Sequence, residues 1–81
     1  MELTIITPER KVFSGEAESV NLPGVEGRFQ ILNNHAAMIC ALGDGELRVK
    51  SGNEQLKFQI KSGIVEVVKN KISVLTEGVI E

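Results

Sequence analysis

Tryptophan and tyrosine are absent from this chain, and its 81 residues hold only three phenylalanines. Without aromatic platforms on which bases stack, single-stranded nucleic acid is a poor ligand. A basic surplus is lacking too: nine Lys and Arg stand against eleven Asp and Glu, a formal charge of −2. Duplex binding needs a basic stripe that displaces counterions, so nucleic acid is excluded as an expected partner. Cys40 is alone, which rules out a disulfide framework and cysteine-based metal spacing. One histidine, His35, with scattered carboxylates gives no metal-ligand pattern either. No apolar run approaches the ~20 residues of a membrane-spanning helix, and nothing after Met1 has the form of a signal peptide. A soluble protein of a reducing compartment, without cofactor or metal, is the expectation.

What the chain does have is aliphatic alternation. Its length fits one domain, residues 1–81, that buries roughly 60 % of the surface its unfolded chain exposes. In Leu56-Lys57-Phe58-Gln59-Ile60-Lys61 apolar and polar residues alternate strictly, and Glu46 to Lys50 repeats this with Leu47 and Val49 inward. Further strands are expected over Leu3 to Ile6, Glu18 to Leu22, Arg28 to Leu32, Ala37 to Leu42, Ile64 to Val68 and Ile72 to Leu75. Turn residues separate them: Pro8, Gly15, Pro23-Gly24, Asn33-Asn34, Gly43 to Gly45, Ser51 to Asn53, Ser62-Gly63 and Asn70. Ser51-Gly52-Asn53 and Lys69-Asn70-Lys71 have the form of hairpin tips. The fold class is all-β: a flattened sandwich or barrel of about eight to ten short, mostly antiparallel strands.

Two strands are apolar on both faces. Ala36 to Leu42 has one face for the core and a second that needs a cover, either a neighbouring element or another subunit. Ile64-Val65-Glu66-Val67-Val68 resembles it; with Val65 and Val67 inward, Ile64, Glu66 and Val68 form a mostly apolar outer row. Chemistry is scarce by comparison. A Cys40–His35 pair is the one nucleophile–base option, and five strand positions separate the two too widely for a hydrogen bond. Gly24 and Gly27 precede neither Gly-Lys-Ser/Thr nor a helix, so they read as turns rather than a phosphate cradle. The Lys69-Asn70-Lys71 tip leaves one alternative open, a biotin- or lipoyl-type carrier domain modified on Lys69 or Lys71. That tip lacks the methionines and the adjacent acidic residue usual in such domains.

Several segments in order resemble the epsilon subunits of F-type ATP synthases. They are Leu3 to Arg10 with Val12 to Glu16; Leu22-Pro23-Gly24, Glu26-Gly27, Ile31-Leu32 and Asn34-His35-Ala36; then Ser62 to Val67 and Val74-Leu75. Arg28-Phe29-Gln30 departs from the acidic pattern common among relatives, Asn34 stands where many carry Gly, and Ala37 where many carry Pro. Relatives commonly continue into a C-terminal helical hairpin, which is not found within these 81 residues. The resemblance implies a non-catalytic rotor part at the foot of the central stalk, on the cytoplasmic face of a bacterial inner membrane. Its partners would be the gamma subunit, the ring of membrane c subunits and, indirectly, the alpha/beta catalytic hexamer, helping couple proton flow to ATP synthesis. His35, Met38, Cys40 and Glu66 are the expected gamma contact, with Met38 and Cys40 pointing outward because relatives often carry a polar residue at Cys40. A loop from Glu26 to Asn33 would meet the c-ring through Glu26, Arg28, Gln30 and Asn33.

Overall fold

The computed structural model describes residues 1–80. Eight strands account for most of them: β1 (Glu2–Ile6), β2 (Lys11–Glu16), β3 (Ser19–Gly24), β4 (Gly27–Leu32), β5 (Met38–Leu42), β6 (Gly45–Ser51), β7 (Glu54–Val68) and β8 (Lys71–Ile80). The fold is all-β, and every strand pair is antiparallel except β1 with β8.

Two long strands tie two layers together. The first layer runs β2, β1, the front of β8, the back of β7, then β5, with Ile5 opposite Val74, Val65 opposite Val74, and Cys40 opposite Val65. The second runs β4, β3, β6, the front of β7, then the tail of β8, with Val20 opposite both Ile31 and Val49, and Ile60 opposite Val79. Alternation explains the layering, because each strand must hide one row of side chains. Leu3, Ile5, Val65, Val67, Ile72 and Val74 from the first layer meet Val20, Leu22, Ile31, Leu47, Val49 and Ile60 from the second, all essentially inaccessible to solvent. Phe13 and Phe58 close one side of this aliphatic core, their ring centroids 5.8 Å apart and tilted by 60°.

Three expectations are corrected. Ser62-Gly63 does not end a strand: β7 passes through it as a bend, so two expected strands are one. Gly15 lies inside β2, beside the Phe13 ring, where a short polar sequence hides a strand. Pro23 and Gly24 complete β3, and the turn follows at Val25-Glu26. By contrast, the Gly52-Asn53 and Lys69-Asn70 hairpin tips stand where expected, and Lys69 and Asn70 both take positive φ (48° and 62°).

The bend is latched by Thr76, the one buried polar side chain among the described residues. Its hydroxyl lies 2.6 Å from the Lys61 carbonyl oxygen and 2.7 Å from that of Ser62, and shares its proton between them. The Asp44 carboxylate accepts from the Ser62 N–H at 2.9 Å on the other side. Thr76→Val keeps the shape but strips these carbonyls of their donor. An unfolding free energy lowered by about 1–3 kcal/mol is expected in urea titration. An unchanged midpoint would show that solvent reaches the bend.

Candidate interaction faces

Outward positions of the first layer align into rows, because strand register brings every second residue to the same face. One row is Ala41, Ile64, Leu75 and Ile6; the next is Ile39, Glu66, Ser73 and Thr4. Ile39 is 70 % exposed, Leu75 52 %, Ile64 48 % and Val68 44 %. Ile6, Pro8, Ile64 and Leu75 also line an open apolar groove of about 370 Å³. Isolated surface aliphatics are ordinary, but a contiguous patch is the mark of an interaction site.

The second layer presents the opposite chemistry. Its outward positions carry Arg28 and Gln30 on β4, Asn21 on β3, Glu46, Arg48 and Lys50 on β6, and Gln55, Lys57, Gln59 and Lys61 on β7. Arg28 donates to the Asn21 side-chain oxygen at 2.8 Å and to the Glu46 carbonyl. Arg48 donates to the Glu46 carboxylate, and this hydrogen bond holds the Glu46 carboxyl below the usual range, aided by the charges of Arg48, Lys57 and Arg28.

The expected site residues are distributed as follows. Glu66 stands in the outer apolar face, opposite Ile39. His35 is exposed in the connection after β4, its Nδ1 2.8 Å from the Ala36 carbonyl oxygen. Met38 and Cys40, expected outward, are instead half-buried against the core, and Ile39 and Ala41 take the outer positions. Leu42 fixes this parity: it is buried at 2 %, and Cys40 and Met38 precede it by two and four residues. That signal lies in the sequence itself. Ile39 escapes the sequence reading because a polar residue at Cys40 in relatives points to the wrong parity for β5, and Leu75 because no charged residue in Ile72 to Leu75 marks its outward row.

The four residues assigned to one loop are also separated. Glu26 sits at the β3–β4 tip, whereas Arg28 and Gln30 project outward from strand β4. Asn33 lies beyond the far end of β4 and accepts from the Met1 amino group at 3.1 Å. Gly27 to Leu32 pairs residue for residue with β3, so this segment is a strand and not a loop. Lys69 lies in the β7–β8 turn and Lys71 opens β8.

The sequence of all 81 residues matches the family model for the ATP synthase delta/epsilon chain beta-sandwich domain. The chain belongs to this family. It is 44 % identical over 75 residues to an ATP synthase epsilon chain of Maridesulfovibrio salexigens, with 93 % of this chain and 53 % of that protein aligned. A second epsilon chain, from Chlorobium limicola, is 44 % identical over 79 residues, covering 96 % of this chain and 90 % of the relative. The chain thus spans about half the length of the first relative and nearly all of the second. In fold it is similar to a chain in the central stalk/c-ring structure of Tetrahymena thermophila mitochondrial ATP synthase. That similarity has a TM-score of 0.86 at 20 % identity, over 100 % of this chain and 66 % of the other. A chain in the Euglena gracilis mitochondrial ATP synthase structure gives 0.89 at 20 % identity, over 96 % and 51 %. The carrier-domain alternative finds no support among these relatives. No helix among the described residues is long and apolar enough to cross a membrane.

Proposed function

We propose that this chain is a non-catalytic subunit of the central stalk of an F-type ATP synthase, joining a gamma subunit to the ring of c subunits. In this reading it helps couple proton flow to ATP synthesis, as a peripheral component on the cytoplasmic face of a bacterial inner membrane. Membership of the epsilon family supports the reading. The observation that carries it is the uncovered apolar face of Ile39, Ala41, Ile64 and Leu75.

A torque-bearing joint needs a stiff body and a broad contact rather than a pocket. Close-packed interiors resist deformation. A body with principal extents of 26 × 26 × 20 Å offers faces wide enough for the ~600 Å² that each partner buries in a stable contact. The gamma subunit would lie on the first layer, with Glu66 inside the contact and His35 at its margin. Glu26, at the β3–β4 tip with the exposed Val25, would meet the ring.

Mixing this chain with the gamma subunit from the same source and running size-exclusion chromatography at moderate salt tests the reading. A stable one-to-one complex is expected. Separate elution of the two would overturn the gamma contact.

A further inference from the structure

We propose that the outer face of the second layer is an electrostatic docking surface for an anionic lipid bilayer. Five of the nine basic residues project from it: Arg28 on β4, Arg48 and Lys50 on β6, and Lys57 and Lys61 on β7. Of the eleven acids, only Glu46 occupies an outward position there, already bound to Arg48. A chain of net charge −2 therefore gathers its cations on one sheet and leaves most of its acids elsewhere.

The arrangement costs the fold something. Arg48 and Lys57 stand directly opposite each other in the β6–β7 ladder, and like charges facing across a ladder are destabilising. The side-chain ammonium groups of Lys50, Lys57 and Lys61 make no hydrogen bond or ion pair among the described residues. Local conflicts of this kind are expected where a surface has work outside the fold.

Charge complementarity sets the anionic character of the occupant, and surface chemistry selects its class. Protein interfaces have cores enriched in aromatic and apolar groups and depleted in lysine. This face exposes no aromatic residue, and its exposed aliphatics, Leu32 on β4 and Ile80 at the tail of β8, stand at opposite margins. The cations spread over three strands as a plane, and lysines act as point charges without the directional fork that a discrete phosphate site uses. A bilayer asks only for charge, with each basic residue near an anionic surface worth about fivefold in partition.

The test is sedimentation of the chain with two vesicle preparations at low salt, pure phosphatidylcholine and an equal mixture with phosphatidylglycerol. Binding to the mixed vesicles alone, lost at high salt, is expected. Replacing Lys50, Lys57 and Lys61 together by Gln should lower the partition about a hundredfold. The same chain without vesicles should melt no lower than the parent, since a repulsion has been removed. Replacing Lys11, Lys69 and Lys71 together by Gln, all on the other layer, removes the same three charges and should change binding little. Equal binding to both vesicles, equal losses in the two variants, or a destabilised triple variant would each overturn the proposal. So would a parent that ignores both vesicles, including one that binds polyglutamate instead.

Discussion

Ile64→Asp is expected to leave the isolated domain folded while weakening its binding to a gamma subunit by more than about 2 kcal/mol, roughly thirtyfold in Kd. Ile64 stands in the middle of the outer row, between Ala41 and Leu75. A carboxylate there meets water in the free domain and costs only the modest penalty of a polar residue at an exposed strand position, within about 1 kcal/mol. Against a partner the same carboxylate loses its hydration with no cation nearby on its own strands, since its neighbour two residues on is Glu66. The paired measurement is thermal unfolding of the free variant and its affinity for gamma by titration calorimetry. Unchanged affinity would remove the first layer from the contact.

Met38→Asp supplies the contrast. Met38 packs against the buried cluster, so its replacement puts a charge beside Val67 and the rest of the core. The expected result is a loss of folding and of assembly together. A variant that folds normally yet fails to assemble would return Met38 to the outer face and displace Ile39.

The contrast shows where the sequence was legible. Strict alternation through Leu47, Val49 and Ile60 names inward residues correctly, because a period of two leaves no choice once one member is hydrophobic and its neighbours are polar; in Ile64 to Val68 the single polar marker is Glu66, which turns Val65 and Val67 inward. Ala36 to Leu42 lacks that contrast, and alternation without polar markers cannot orient a strand. Only Leu42, anchored by the turn that follows it, carried the answer. Strand β2 failed for a related reason: Gly15 reads as a turn, while the Phe13 ring that lies beside it is a tertiary fact. The cation gathering on the second layer was invisible for a different reason. Arg28, Arg48 and Lys61 lie far apart in sequence, and composition gave only a net charge of −2. Register, not composition, brings them onto one sheet.

Gly63→Ala should be the most damaging single-methyl change in the chain. Gly63 has φ of +151°, a conformation that L side chains rarely adopt, which alone costs on the order of 1–3 kcal/mol. An added Cβ would also lie 2.2 Å from the Leu75 carbonyl oxygen and 2.9 Å from the Thr76 Cα. Both are backbone atoms of the facing strand, so no rotamer change relieves the clash; the β7–β8 ladder has to open. A loss above about 3 kcal/mol is expected, a fall in Tm of at least ~12 °C for a domain of this size. Gly78→Ala is the control on the same bend, because nothing stands within 4 Å of its added Cβ; it should be close to neutral. Similar melting of both variants would mean that the bend yields easily. A yielding bend would also weaken the mechanical reading, since β7 and β8 are the strands shared by the apolar and the basic layers. Force applied to one face reaches the other through Lys61 to Gly63 and Thr76 to Gly78, where Thr76 and the side chain that Gly63 lacks keep the two layers at a fixed angle.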